Sequence, residues 1–245
     1  MLAILLNGII MLTELAAVFS VAALGFYHPM ALAGLTAVLA FAVGLWLEHA
    51  RLAHELPFYF DQGAGGSRRP ALVWLVALTE AILKALLAGI CALITFSGTD
   101  KGRLMWVAIV FGIAVYIGSS VLRRLSISLA ARPMRWGYFR LAVPLGLIFS
   151  LALSFLPAPS FTDLGRQLIF DLPAKPNLAQ ASEFLFILKQ KFDEMVVALL
   201  TWFVSADVAR VLGAAVSVNV LTGFVAALYA VLIAEAVRRW ESRLP

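Results

Sequence analysis

Apolar residues recur in long uninterrupted runs along the chain rather than in short alternating patterns. Six of these runs are close to or above the roughly 18–20 residues that an α-helix needs to cross a hydrocarbon core about 30 Å thick. The sequence therefore predicts an all-α fold, a polytopic membrane helix bundle of about six transmembrane helices in one membrane domain. The predicted spans cover about residues 2–24, 30–47, 71–97, 104–122, 141–156 and 211–237.

The first apolar run is predicted to be a retained span and not a signal peptide. No Lys or Arg precedes it, and it is longer than the apolar region of a typical secretory signal.

A different periodicity occurs within the predicted outer loop 157–210. Between Ser182 and Val204, apolar side chains recur at spacings of three and four residues, which predicts an amphipathic helix. A transmembrane path for this segment would bring four charged side chains between Lys189 and Glu194 into the bilayer, at roughly 2.5–3.5 kcal/mol each near its centre. We therefore expect an interfacial helix on the outer face of the bundle. Its apolar stripe contains Leu185, Leu188, Phe192, Met195, Leu199 and Trp202.

Composition and charge agree with a membrane protein. Hydrophobic residues make up 62% of the chain and charged residues 13%, whereas soluble domains are about 45–50% apolar and about 25% charged. The net charge of +5 does not indicate nucleic-acid binding, because basic residues in short loops are the usual cytoplasmic retention signal. With both termini cytoplasmic, Arg51, the segment 123–140 and Arg238 lie inside, and the short outer loops hold only Lys101 and Arg103. This distribution predicts an integral protein of a bacterial inner (plasma) membrane.

The basic linker 123–140 has two interpretations. Its arginines are candidate contacts for anionic lipid head groups, and they equally serve to retain the loop on the cytoplasmic side. The candidates for lipid contact are Arg123, Arg124, Arg132 and Arg135.

Four of the polar residues inside the predicted spans fall at similar depths. Glu80 and Lys84 are four residues apart and so share one helix face. Their depths, and those of Glu14 and Asn219, are all roughly 14–20 Å from the start of their spans at 1.5 Å per residue. The sequence thus predicts that Glu14, Glu80, Lys84 and Asn219 form one buried polar cluster near the bilayer midplane.

Three roles fit such a cluster. It is an ion or proton relay or a substrate-contact site, since intramembrane ionisable residues are functional candidates. It is an internal clamp, in which Lys84 neutralises Glu80. In the third role, the cluster is a docking charge that meets an opposite charge on another membrane subunit.

The search for other chemistry is largely empty. The single cysteine, Cys91, excludes a disulfide framework, and His28, His49 and His54 lack a metal-ligand spacing, so neither a metal nor another cofactor is predicted. No hydrolase, zinc-protease or phosphate-loop motif occurs, which leaves an enzyme as the weakest interpretation.

Two functional hypotheses remain. One is a transport-related permease or channel-type subunit with a midplane charge cluster. The alternative is a non-catalytic anchor or scaffold subunit of a larger membrane complex. Beyond the lipid bilayer, the expected partners are other membrane subunits or further copies of the chain.

Overall fold

The computed structural model of the chain describes residues 2–59, 69–97, 101–155 and 176–242. Within these ranges the fold is all-α, as predicted, with eight α-helices, one short 3-10 helix and no strand. The α-helices are α1 (Leu2–Tyr27), α2 (Pro29–Tyr59), α3 (Arg69–Phe96), α4 (Lys101–Leu129), α5 (Pro133–Ser154), α6 (Leu178–Leu200), α7 (Ala206–Val216) and α8 (Thr222–Glu241), and the 3-10 helix covers Val218–Leu221.

Six helical segments are long and apolar enough to cross a bilayer, which confirms the predicted class of helical membrane bundle. They are Asn7–Tyr27, Pro29–Glu55, Ala71–Phe96, Lys101–Leu129, Pro133–Ser154 and Val218–Glu241. Many large apolar side chains on their outer surfaces are exposed. The chain is therefore an integral membrane protein whose apolar helices contact the lipid bilayer.

Helices extend into two segments that the hydropathy pattern suggested were loops. α2 continues past residue 47 to Tyr59, because Arg51 pairs with Glu48 and Glu55 one helical turn away on either side, at 3.1 and 3.3 Å. The basic linker is largely helical as well, since α4 continues to Leu129 and α5 starts with a proline, Pro133, at a position that tolerates one.

The predicted sixth span, 211–237, covers two helices. α7 ends at Val216, Ser217 has an extended ψ of 143°, and the 3-10 helix then leads into α8. The Ser217 hydroxyl accepts a hydrogen bond from the backbone N–H of Asn219 at 3.0 Å, so it caps the new helix as serine often does. Asn219 consequently lies at the beginning of the sixth candidate span and not in its middle.

The amphipathic helix α6 turns its polar side toward the protein. Its N-terminus is fixed by a capping box in which Asn177 and Gln180 exchange hydrogen bonds of 2.9 and 3.0 Å. Ser182 and Gln190 are buried against the bundle, together with two apolar residues of the same side, Phe186 and Ile187. All six members of the predicted apolar stripe are exposed. The earlier part of the predicted outer loop, as far as residue 175, lies outside the described residues.

Two ends of the bundle can be distinguished by their contacts. At the arginine end, the Arg123 side chain joins Asn7 and Glu241, which brings together the start of α1, the later part of α4 and the end of α8. At the hairpin end, Gly25 packs on Phe96, and the helices α6 and α7 form an antiparallel hairpin nearby. α8 is the most buried span and packs mainly against α4 and α5.

Candidate functional site

A charge network joins α2 and α3. The Lys84 ammonium contacts the carboxylates of both Glu48 and Glu80, the latter at 3.1 Å. Arg51 adds a second cation, 3.1 Å from Glu48 and 3.9 Å from Glu80. The Glu48 side chain is only 1% exposed, so its charge depends on these two cations for compensation. The expected contact between Glu80 and Lys84 is therefore present, within a larger network.

Small residues explain how the network forms. Gly44 of α2 packs on Ala81 of α3, and Gly89 of α3 packs on Ala37 of α2. Small residues at these positions let the two helix backbones approach closely. The two contacts show that α2 and α3 are antiparallel, so Glu48 and Lys84 lie about one turn to either side of the Gly44–Ala81 contact. Their long side chains meet because each leans toward the N-terminus of its own helix, and so toward this contact.

The lysine cavity lies beside this network. It has a volume of about 390 Å³ and is lined by Arg51, Lys84, Leu87, Ala88, Tyr138, Phe139 and Phe224. The Lys84 nitrogen lies 4.9 Å from the centroid of the Phe139 ring, within the range of a cation–π contact. Lys84 thus divides its charge between two carboxylates and an aromatic face, and it forms one wall of a partly apolar space.

Glu14 lies in a separate place, between α1 and α4. Its side chain is 2% exposed, and the Ser119 hydroxyl donates a hydrogen bond to its Oε1 at 2.5 Å. No Lys or Arg of the described residues forms an ion pair with it. Glu14 is therefore a buried carboxyl group satisfied by a hydroxyl.

A third polar group lies at the hairpin end, where the chain is broken at Ser217. The Ser217 hydroxyl donates to Asp193 Oδ2 at 2.8 Å, and the Asn219 amide nitrogen lies 3.5 Å from the same oxygen. Within the part of the chain that the structure describes, Asp193 Oδ1 and Asn219 Oδ1 are buried and have no donor at full hydrogen-bond geometry, although the backbone N–H of Val218 is close enough to the Asp193 carboxylate to lower its pKa. Two acceptors without donors in one place are costly unless a ligand or water supplies the donors.

The residues that carry these acceptors line the hairpin cavity, a space of about 390 Å³ between α6, α7, α5 and the start of the sixth span. Five charged side chains of both signs line it: Arg103, Lys189, Asp193, Glu194 and Arg210. Its polar lining also contains Ser150, Gln190, Ser217 and Asn219.

Burial shifts the titration of two groups in the hairpin cavity. It lowers the pKa of Lys189 to about 8, against the opposing attraction of Asp193. Burial raises the pKa of Asp193, although the hydrogen bond from Ser217 and the charge of Lys189 oppose that shift. Arg103 is held across the cavity by a 3.2 Å hydrogen bond to Gln190 and by the face of Phe186, 5.1 Å from its guanidinium carbon.

A tight contact between α5 and the start of the sixth span separates the two cavities. A Cβ at Gly146 would lie 2.0 Å from the Val220 carbonyl oxygen, and one at Gly223 would lie 1.9 Å from that of Ala142. Only glycine permits backbones to approach so closely.

A pair of hydroxyl groups joins α3 to α8 at the same level of the bundle as this glycine contact. Thr95 and Thr222 share a buried hydrogen bond of 2.7 Å. Asn219 and Ser217 line the hairpin cavity on one side of this level, whereas Phe224 lines the lysine cavity on the other.

The four intramembrane candidates therefore make their polar contacts in three places and not in one cluster. Glu80 and Lys84 belong to the α2–α3 network, Glu14 bonds to Ser119, and Asn219 joins Asp193. The common depth inferred from counting residues could not show which helices are neighbours.

The arginine candidates also differ in their surroundings. Arg123 is engaged inside the protein, 2.7 Å from Glu241 and 2.8 Å from Asn7. Arg124, Arg132 and Arg135 are exposed, and Arg135 lies over the Trp46 ring at 5.6 Å.

Sequence reasoning missed several residues of these sites. Glu48 and Arg51 lay just beyond a predicted span, and their spacing of three residues was the available signal for a continuing helix. The sequence places Asp193 and Lys189 on an interfacial amphipathic helix, away from its apolar stripe, and gives no sign that they line a cavity. Ser217 marks the break, yet a serine in an apolar run gives little warning of one.

Within the described ranges there is no group of three or more His, Cys, Asp or Glu side chains arranged to hold a metal ion. Comparison of the chain with protein families, with curated proteins and with solved structures gives no significant match.

Proposed function

We propose that the chain is a transport-related membrane subunit that binds a small polar solute in the hairpin cavity. The observation that carries this proposal is the pair of buried acceptors without donors, Asp193 Oδ1 and Asn219 Oδ1, at a break in the helix. Unsatisfied polar groups at a break in a helix persist where water or a ligand in an adjoining cavity supplies the missing partners.

The charges around the cavity define the class of solute. Asp193 and Asn219 offer acceptors for an ammonium, amide or hydroxyl group. Arg103 and Lys189 offer positive charge to an anionic group. A solute with both features, such as an amino acid or a hydroxy acid, satisfies both sides of the cavity.

The second cavity supports movement across the membrane as well as binding. The hairpin cavity and the lysine cavity lie on either side of the contact at Gly146 and Gly223. α5 lines both cavities, and α3 and α8 line the lysine cavity. The barrier between the cavities is formed by α5 and the start of the sixth span, with Thr95 of α3 beside it. Separation of these helices at Gly146 and Gly223 would join the cavities, which is the geometry that alternating access requires.

The intramembrane candidates take different parts in this proposal. Asn219 contacts the solute. Lys84 lines the lysine cavity, and together with Glu48 and Glu80 it holds α2 against α3. Glu14 lines neither of these cavities; it is a buried carboxyl group between α1 and α4 and a candidate ion contact.

The orientation belongs to the same proposal. Both termini and the arginine end lie on the cytoplasmic side of a bacterial membrane, and the hairpin end faces outward. A cysteine at exposed Ser205, in a Cys91→Ala background, should react with an impermeant thiol reagent only from the outer side of intact cells. Reaction only after the cells are opened would reverse the orientation.

Uptake by proteoliposomes tests the proposed activity. The probe is an equimolar mixture of isotopically labelled amino acids and small hydroxy acids, with the retained solutes identified by mass spectrometry. We expect at least one solute to accumulate above protein-free liposomes, and the Asp193→Asn variant to take it up about tenfold more slowly, since it weakens one charged hydrogen-bonding group.

The matched control is Asp207→Asn, an acidic residue that is exposed on α7 and does not line the cavity. It should transport like the wild type. Uptake no greater than in protein-free liposomes, or equal losses in the two variants, would contradict the proposal.

One observation favours the anchor or scaffold function as a second candidate. The outward face of α6 is apolar over its whole length, and the α6–α7 turn exposes Trp202 and Phe203 to 83% and 77%. Such a surface suits the docking of another membrane subunit as well as contact with lipid. Purification in mild detergent distinguishes docking of a subunit from contact with lipid. A partner that copurifies in stoichiometric amount with the wild type, and is lost in a Phe192→Ser, Met195→Ser variant, would favour the scaffold function.

A further inference from the structure

A third cavity lies at the arginine end, between α2, α5 and α8, and has a volume of about 510 Å³. The hairpin and lysine cavities do not share its lining, so what it binds is independent of the proposed transport. Basic side chains line the part of the cavity near the helix ends, and apolar side chains line the part nearer the middle of the bundle. The basic part consists of Arg132, Arg135, Arg238 and Arg239, and the apolar part of Leu39, Ala42, Val43, Trp46, Met134 and Leu232.

One carboxylate accompanies the four arginines. Glu235 pairs with Arg238 at 2.7 Å and with Arg239 at 3.2 Å. Arg132 and Arg135 form no ion pair with a carboxylate of the described residues, although the Arg135 guanidinium lies over the Trp46 ring. The cavity therefore carries a net positive charge, and two of its guanidinium groups are available to an anion.

The apolar part of the cavity points to a lipid and not to a soluble anion. Leu39 and Val43 are on the same face of α2, one turn apart, and Leu232 faces them from α8. All three lie within candidate membrane spans. Trp46, one turn nearer the helix end, is a residue that favours the boundary between hydrocarbon and head groups.

We infer that this cavity binds one anionic phospholipid from the bilayer. Arg132 and Arg135 donate hydrogen bonds to its phosphate, because the planar guanidinium group matches phosphate oxygens in paired contacts. Arg238 and Arg239, partly neutralised by Glu235, border the head group. One acyl chain lies along Leu39, Val43 and Leu232.

Native mass spectrometry of the full chain, released from nanodiscs, tests this inference. The nanodiscs contain equal amounts of phosphatidylglycerol and phosphatidylethanolamine, and the bound lipid is identified after release. We expect one phosphatidylglycerol per chain, retained in preference to the zwitterionic lipid. Equal retention of the two lipids would overturn the inference.

Two charge-matched variants locate the site. Arg132→Gln with Arg135→Gln removes the two available guanidinium groups, and the affinity for phosphatidylglycerol should fall by about tenfold or more. Arg124→Gln with Arg140→Gln removes the same charge from exposed arginines of the same region that do not line the cavity, and should leave the affinity unchanged. An equal fall in both would mean general surface attraction and would overturn the inference.

Competition on the wild type decides the question even if a variant fails to fold. A second anionic phospholipid should displace the bound phosphatidylglycerol, whereas glycerol 3-phosphate at the same concentration should not. Equal displacement by glycerol 3-phosphate would show a site for soluble phosphates and would overturn the lipid assignment.

Discussion

The hairpin cavity and the lysine cavity are similar in size and differ in how their charges are satisfied. Around the lysine cavity, each carboxylate of Glu48 and Glu80 has a cation partner on the adjacent turn or helix. In the hairpin cavity, Asp193 and Asn219 each keep a buried oxygen without a donor. Glu48 Oε2 also lacks a hydrogen-bond donor, but it lies 3.1 Å from the Arg51 guanidinium, whereas Asp193 forms no ion pair within 4 Å among the described residues. A set of matched charges holds helices together, whereas an unmatched set is poised to accept a ligand.

The largest expected effect comes from breaking the matched set. Lys84→Met removes the nearer of two cations from the buried Glu48 and should lower the free energy of unfolding by about 3–5 kcal/mol. Thermal unfolding in detergent, followed by size-exclusion chromatography, measures this loss.

The double variant Glu48→Gln, Lys84→Met should recover much of the stability, since no buried carboxylate then lacks its partner. Lys191→Met is the control, because its pair with Glu194 is exposed and contributes about 0–1 kcal/mol. A double variant less stable than Lys84→Met alone would show that the charges do not act as a pair.

The barrier between the cavities gives the next effect. Gly223→Ala places a methyl group against the Ala142 carbonyl and should destabilise the protein by about 1–3 kcal/mol through overpacking. Gly34→Ala is the matched control, since a Cβ there meets nothing within 4 Å. If the two alanine variants melted at the same temperature, the close contact between α5 and the sixth span would be refuted.

Solute binding in the hairpin cavity should depend on pH through the charge of Lys189. Its pKa of about 8 in the folded protein means that its positive charge disappears as the pH rises through 8. Binding of an anionic solute should therefore weaken about severalfold between pH 7 and pH 9. Lys189→Arg, which stays charged, should remove this dependence, and solute uptake at the two pH values is the measurement.

The same shift makes a prediction for stability. Because the folded pKa of Lys189 lies below its ordinary value, the unfolded chain binds more protons between pH 8 and about 10.5, and the contribution of Lys189 to stability should rise with pH over that range. The difference in unfolding temperature between the wild type and Lys189→Met, measured across this pH range, gives the contribution of Lys189 to stability. A difference that fell with pH would contradict the sign.

The smallest effect is expected at Glu80. Its side chain is 33% exposed, and Lys84 keeps a second carboxylate when Glu80 is neutralised. Glu80→Gln should thus cost no more than about 1 kcal/mol. A loss as large as that of Lys84→Met would mean that Glu80, and not Glu48, is the principal partner of the lysine.

The sequence predicts the six apolar helices well, because the length of an apolar run alone determines whether a helix can cross the bilayer. It also predicts that Glu80 and Lys84 meet, because their contact lies within one helix. Glu48 joins them through the packing of Gly44 on Ala81, and Asp193 meets Ser217 and Asn219 only when α6 folds back along α7. Contacts of this kind join distant parts of the chain, and hydropathy and helical spacing carry no information about them.

The helix α6 shows the same limit in another form. Its periodicity predicts an amphipathic helix, but not which face meets the protein. In water the apolar face would be buried. In a bilayer the apolar stripe can face the lipid, which leaves Lys189, Gln190 and Asp193 to line a protected cavity.

The most direct test of the account is the accessibility of the two cavities in oriented proteoliposomes. Glu194→Cys reports on the hairpin cavity and Phe139→Cys on the lysine cavity, each in a Cys91→Ala background and probed with a membrane-impermeant thiol reagent. The account predicts that the two cysteines react from opposite sides of the membrane, and that a transported solute lowers the labelling of Glu194→Cys. Reaction of both cysteines from the same side would show that the cavities are not the two ends of one path, and would contradict it.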